Sequence, residues 1–240
     1  MPRFDDKRVI VTGAAAGLGR IIAQSFAREG ADIAILDFQP AAATEAAVKA
    51  EGRRCRSFRC DVRDEAAVAD AVAGATAFLG GIDVLINNAG FNGHYALVKD
   101  MPLAHWRETL DINLTGTMLV TRAALPPMIA AGAGAIVTTS KWALLGLTQT
   151  LALENARHGI RINAVCPGPI EGDRIEDVMR RHAEIEGKSL ADVRREWEAT
   201  PMGRFVEPRE VADVMLFLAS PAASAMTGQA INVTGGFIMT

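Results

Sequence analysis

The 240-residue chain has little of what marks a metal site, a disulfide framework or a membrane anchor. Its three cysteines, Cys55, Cys60 and Cys166, are an odd and unpatterned set. They read as reduced thiols, buried or semi-exposed, in a cytoplasmic protein. His94, His105, His158 and His182 are scattered without ligand spacing, so no catalytic metal is expected. No apolar run is long enough to span a bilayer, which argues against a membrane role. The net charge is −3, and no basic cluster marks a nucleic-acid surface. The start, Met1 to Lys7, does not read as a signal peptide. There is no internal repeat and no linker. Tyrosine is nearly absent, with Tyr95 the single case. Half of the residues are hydrophobic and 22% are charged, which suits one soluble domain over 1–240 with a full core.

The most informative stretch is the first thirty-seven residues. Val9 to Val11 reads as a short buried strand, followed at once by Gly13, Gly17 and Gly19. Ile21, Ile22, Ser25 and Phe26 then share one face at helical spacing. Ile33 to Leu36 is a second strand, with Asp37 at its end. A strand, a glycine turn, a helix and an acid about twenty residues on form a unit that holds a dinucleotide. Side chains on the turn would keep the backbone from a pyrophosphate, and the N–H groups that open the helix face the anion.

Strand and helix patterns alternate through the rest. Helices are expected over 40–50, 65–79, 102–126, 142–156 and 208–219. Further strands are expected over 56–60, 82–86, 135–139, 160–165 and 229–233. The helix over 102–126 should be bent, with a continuation to 131 after a kink at Pro127. Trp106, Leu110, Ile112, Leu114, Met118 and Leu119 should line its apolar side. In the helix over 142–156, Leu144, Leu145, Leu147, Leu151 and Leu153 are mostly spaced for burial. Residues 171–200 are charged and helical, and they look mobile; Trp197, Met202 and Phe205 supply apolar anchors. The pattern predicts an α/β fold, a Rossmann-type doubly wound parallel sheet of about seven strands with helices on both faces. A substrate-loop segment spans about 171–205.

Several further motifs follow in order. Thr12 to Gly19 resembles the cofactor turn of the short-chain dehydrogenase/reductase family, with Gly13, Ala16, Gly17, Leu18 and Gly19 as its contacts. Asp61-Val62 resembles that family's adenine-contacting pair. Asn87-Asn88-Ala89-Gly90 resembles the motif that supports the central strand and the cofactor ribose, with Asn88, Ala89 and Gly90 on the cofactor. Asn113 matches the helix asparagine that helps hold a proton-relay water. Pro167-Gly168-Pro169-Ile170 resembles the segment that closes over the nicotinamide. Residues 201–204, 227–229 and 235–236 resemble the family's C-terminal part.

The resemblance implies hydride transfer between a nicotinamide cofactor and a secondary alcohol or ketone. Asp37 points to NAD, because a carboxylate accepts both ribose hydroxyls and repels the extra phosphate of NADP. Neither residues 14–16 nor Phe38 supplies a cation for that phosphate. The pocket is expected under 171–205 and beside Phe91 to Tyr95, with His94, Tyr95, Trp142, Trp197 and Met202 as candidate lining. The resemblance also implies a homotetramer that pairs the helices over 102–126 and 142–156 and the last strands.

One part departs from the family pattern. There, a serine holds the substrate oxygen and a tyrosine moves the proton. A lysine one turn further on lowers the phenol's pKa and binds the nicotinamide ribose. Here the strand ending at Ser140 runs straight into the helix beginning at Lys141. The intervening segment is absent, and the relay tyrosine with it. Tyr95 does not match that position. Lys141 keeps its role by resemblance. Ser140 is the substrate-orienting serine, the residue just before it, or the residue preceding the lysine. Three explanations stay open: a segment of the natural protein is missing from this sequence, the segment is truly deleted, or the protein binds nucleotide without turnover.

Overall fold

The computed structural model describes residues 2–94, 96–139 and 143–238, with residue 143 described by its backbone alone. Seven strands form one sheet: β1 (Arg8–Thr12), β2 (Asp32–Asp37), β3 (Cys55–Arg59), β4 (Val84–Asn87), β5 (Gly134–Thr139), β6 (Ile160–Pro167) and β7 (Ala230–Val233). Every neighbouring pair is parallel. The order β3-β2-β1-β4-β5-β6-β7 reverses direction between β1 and β4. In such sheets a crevice opens beyond the C-terminal ends of the two strands at the reversal.

Strand residues alternate between two cores, as the pleat requires. Val9, Val11, Ile33, Ile35, Val84, Ile86 and Val137 face one cluster. Ile10, Ala34, Leu36, Leu85 and Ile136 face the other. The first face is covered by α1 (Gly17–Arg28) and α9 (Pro208–Ala219), and α2 (Ala42–Ala50) adds Val48. The second is covered by α3 (Glu65–Leu79), α5 (Gly116–Ala131) and α6 (Ala143–Asn155). Burial on both faces is why the strands read as apolar runs rather than as alternating ones.

Local signals account for the helix ends. Asp64 caps α3, accepting from Ala66 N at 2.9 Å and Ala67 N at 3.0 Å, and Gly80 ends it with φ 83°. At the other end of the fold, Arg161 on β6 closes α9. Its guanidinium donates to the carbonyls of Leu218, Ala219, Ser220, Ala223 and Met226. These take up orphan acceptors at the helix terminus, and desolvation lowers the arginine's pKa.

Several expectations need correction. The helix over 102–126 is not one continuous α-helix. It consists of α4 (Leu103–Leu110), a π-helical turn (Asp111–Thr115) and α5, which continues through Pro126 and Pro127. Trp106 and Leu153 are exposed, at 54% and 83%. On α6 the buried stripe is Leu144, Thr148, Ala152 and Asn155, so small and polar residues take positions where leucine was expected. Residues 171–200 form α7 (Asp173–Glu186) and α8 (Leu190–Glu198), joined by their own core of Met179, Ala183, Val193 and Phe205 with Ile175 and Trp197 against it. Met202 is 60% exposed and anchors nothing there.

Among the described residues no helix is long and apolar enough to cross a membrane. Cys55, Cys60 and Cys166 form no disulfide with one another. Burial pushes the Cys55 thiol up to about 12 and the Cys60 thiol to about 11, so neither ionises near neutral pH.

The start of β1 is tied to β4 by a forked ion pair. Arg8 donates to Asp83 from Nε at 2.7 Å, from Nη2 at 2.9 Å and from its backbone N at 2.9 Å. Burial raises the Asp83 pKa, but these bonds outweigh it and leave the carboxyl below its ordinary value of 3.8. A depressed folded-state pKa gives stability that is present above 3.8 and lost as pH falls through the lower folded value. Asp83→Asn should therefore lower the melting temperature at neutral pH. It should also flatten its decline below pH 3.8 relative to the parent, as read by thermal unfolding.

Candidate active site

The crevice at the β1–β4 reversal is built by two turns held together. Thr12 Oγ1 accepts from Asn88 N at 3.0 Å and Ala89 N at 2.9 Å. The Asn88 side chain donates back to the carbonyls of Thr12 at 3.1 Å and Gly13 at 3.0 Å. The glycines permit this approach. A Cβ on Gly13, at φ 65°, would lie 2.6 Å from Ala89 Cα. A Cβ on Gly19 would lie 2.1 Å from Gly13 O and 2.5 Å from Asn88 Nδ2. Gly17 differs: it has φ 55°, yet a Cβ there would meet no protein atom within 4 Å. Gly17 opens α1, whose N-cap, Ala16, is extended and offers no side-chain cap; the first turn has no acidic residue. Uncapped N–H groups facing open space beside a left-handed glycine fit the anionic bridge of a dinucleotide.

Asp37 ends β2 beside this turn and is buried. Its Oδ2 accepts from Ala15 N at 2.8 Å and its Oδ1 from Gln39 N at 2.9 Å. A carboxylate has about four lone-pair sites; two tie β2 to the glycine turn and to Gln39, and two are left uncommitted by these bonds. Arg20 went unnoticed in the sequence. Its guanidinium donates to Ala15 O at 2.7 Å and Thr44 Oγ1 at 3.1 Å, so it braces the back of the turn. Asp61, after β3, is gripped by Arg63 through Nη2 at 2.6 Å, which holds its carboxyl below the usual range. Val62 is buried against α5, where Gly116 gives it room: a Cβ there would lie 2.6 Å from Val62 Cγ2.

Asn113 lies in the π-helical turn and is buried. Its side chain spans Phe91, accepting from Phe91 N at 2.9 Å and donating to Phe91 O at 2.8 Å. The Thr117 hydroxyl donates to the Asn113 carbonyl at 2.9 Å. The asparagine thus fixes the loop after β4, and the π turn places it there, a device common at functional sites. Gly90 fits against it; a Cβ on Gly90 would lie 3.0 Å from Asn113 Oδ1. Asn87 donates to Thr121 Oγ1 at 2.9 Å, but its buried Oδ1 has no partner among the described residues.

The loop is pinned further by His94. Its Nε2 lies 2.8 Å from Glu108 Oε2, and its ring stacks on His105 at 3.7 Å. On the opposite side, Gly168 N donates to Val233 O at 2.9 Å, and a Cβ on Gly168 would lie 2.9 Å from Thr234 Cα. Ile170 bridges to Val206, which holds Pro167 to Ile170 over the end of β6. The cleft cover, α7 and α8, follows directly. Trp197 serves the core of this cover, edge-on to His182 at 5.5 Å. Ser140, Lys141, Trp142 and Tyr95 lie outside the described residues. β5 ends at Thr139 and α6 begins at Ala143, so only 140–142 separate them.

A family model described as "Enoyl-(Acyl carrier protein) reductase" matches residues 13–238. The oxidoreductase UcpA of Escherichia coli (strain K12) is 36% identical over 255 residues, covering 98% of this chain and 96% of its own. The chain belongs to the short-chain dehydrogenase/reductase family. Among solved structures of this family, an NAD+-bound xylitol dehydrogenase aligns with a TM-score of 0.94 at 33% identity, over 98% of this chain and 100% of that one. A variant of actinorhodin polyketide ketoreductase with NADPH aligns with a TM-score of 0.91 at 32% identity, over 96% and 97%. The family is thus represented with either nicotinamide cofactor among the neighbours. The alignment to UcpA is longer than this whole chain, so that dehydrogenase/reductase carries residues without a counterpart here.

The glycines separate two roles that substitution can resolve. Gly17→Ala should cost about 1 kcal/mol for the left-handed backbone and keep the fold, yet weaken NADH binding by tenfold or more, because its Cβ enters only the ligand's space. Gly19→Ala should cost about 2–3 kcal/mol through overlap with Gly13 O. Thermal melts paired with NADH fluorescence titrations check both. Intact NADH binding in Gly17→Ala would remove the cradle from the site.

Proposed function

We propose that this short-chain dehydrogenase/reductase is NAD-dependent and moves a hydride between nicotinamide and a secondary alcohol or ketone. The observation that carries the cofactor choice is the buried Asp37 carboxylate beside the glycine turn, with two acceptor sites free for ribose hydroxyls. A 2′-phosphate would meet that carboxylate, and Arg20 is directed to Ala15 and Thr44 at the back of the turn. NADP is accordingly the weaker ligand in this reading.

The nicotinamide, when bound, gives or takes the hydride. Gly13, Ala16, Gly17, Leu18 and Gly19 would hold its pyrophosphate. Asp61 and Val62 would border the adenine, and Asn88, Ala89, Gly90, Pro167, Gly168 and Ile170 the ribose and nicotinamide side. Lys141 would bind the nicotinamide ribose. Asn113 would position the relay water through the loop that it fixes, and Ser140 would orient the substrate oxygen. The proton-moving tyrosine belongs to a segment between Ser140 and Lys141 that this sequence lacks. The alternative, nucleotide binding without turnover, draws no support from the relatives named above, which are oxidoreductases.

Fluorescence titration should give NADH at least tenfold tighter than NADPH, and Asp37→Ser should narrow that ratio. Equal affinities would overturn the cofactor assignment. NADH oxidation against a panel of ketones should be weak in the 240-residue chain. It should rise about a hundredfold or more when a tyrosine-bearing segment is restored between Ser140 and Lys141, the scale of general acid catalysis. A restored chain that binds NADH without turnover would favour the alternative.

The protein is placed in the cytoplasm by the same reading, with its thiols reduced. It is proposed to be a homotetramer. Leu97, Val98, Leu103 and Trp106 are exposed at and before α4, and Leu153 on α6, which supports an apolar contact along these helices. Light scattering should report about four times the 25.5 kDa chain mass, and a monomer would refute the assembly.

A further inference from the structure

The cover of the cleft is laced with paired charges. Arg194 reaches Glu171, Glu176 and Glu198, Arg180 pairs with Asp177, and Arg195 pairs with Asp192. Lys188 pairs with Glu186 and Glu196, and Arg204 with Glu210. Arg174, in the first turn of α7, and Arg181 stand outside these pairs, and Arg174 alone of the two bonds across the cleft. Arg174 has no carboxylate partner among the described residues, and its Nη2 donates to Gly90 O at 2.9 Å, across the cleft on the turn after β4. Neighbouring groups lower its pKa by desolvation with no anion opposing it, yet the residue is exposed to solvent. A neutral carbonyl uses one of the guanidinium's five donors. The rest remain available where the cover meets the site.

Gly90 sits between two landmarks. Through Ala89 it adjoins Gly13 and the cofactor turn, and on its other side it packs on Asn113. A guanidinium there lies between the anionic bridge of a dinucleotide and the substrate end of the cleft. Its planar fork matches both a phosphate and a carboxylate. We propose that Arg174 is an oxyanion anchor carried by the cover: it latches α7 to Gly90 and grips an anion in the cleft, the pyrophosphate of the cofactor or the carboxylate of a hydroxy- or keto-acid substrate. The proposal deepens the reading of the site as an NAD-dependent oxidoreductase and rests on it. It assigns a charge to a segment whose polarity otherwise suits a sugar, a polyol or an acid equally.

The test compares the parent chain with Arg174→Gln and Arg174→Lys. NADH, ADP-ribose and adenosine are titrated into each, and thermal melts report folding. If the anion is the pyrophosphate, Arg174→Gln weakens NADH and ADP-ribose by about 10- to 100-fold, spares adenosine, and is partly rescued by lysine. If it is a substrate carboxylate, NADH binding is unchanged. Pyruvate and lactate then stabilise the nucleotide-saturated parent but not Arg174→Gln, whereas acetone and propan-2-ol act alike on both. The proposal fails if the variants match the parent in both arms, or if Arg174→Gln weakens adenosine as much as NADH. A parent chain that does not bind NADH at all would instead refute the cofactor reading, a separate outcome.

Discussion

The site depends on one constraint: β1 and β4 are neighbours in space but not in sequence, and their C-terminal turns must fit within backbone contact. Thr12 and Asn88 meet that constraint with four hydrogen bonds, and Gly13 and Gly19 remove the side chains that would block it. Everything functional hangs from this junction. The uncapped start of α1 faces the space in front of it. Asp37 ties the end of β2 to it through Ala15, and Gly90 carries it on to Asn113. Loosening the junction would lose the cradle and the relay side together, because they share Ala89 and Gly90.

A second theme is the use of backbone groups as partners for functional side chains. Asn113 is held by both backbone groups of Phe91, Asp37 by two backbone N–H groups, and Arg174 by the carbonyl of Gly90. Such backbone partners do not themselves titrate. Charged pairs lie on the cover and at the start of β1, and two more, Asp61 with Arg63 and His94 with Glu108, stand beside the cleft.

Much of this was legible in the residues. Strand and helix periods located all seven strands, and the limits of α3 and α9 follow from Asp64, Gly80 and Pro208, which are local signals. Less legible was the break in the long helix. The prolines lie inside α5, and the departure from α-helix falls at 111–115, where Asn113 takes the backbone of a loop some twenty residues earlier. Trp106 and Leu153 misled for another reason: hydrophobic spacing identifies a face, not what covers it. The role of Arg174 had no local mark at all, since its partner lies on the turn after β4.

By itself the sequence determined the fold class, the glycine turn, the acid at the end of β2 and the direct run of Ser140 into Lys141, because each is a matter of residue type at short spacing. Only the tertiary structure decided how those parts are used. It showed that half of the Asp37 acceptors are committed to the turn, that Asn113 acts on a loop through its side chain, and that Arg174 reaches from the cover to Gly90. These are contacts between residues far apart in the chain, and no local pattern encodes a distance that only folding creates.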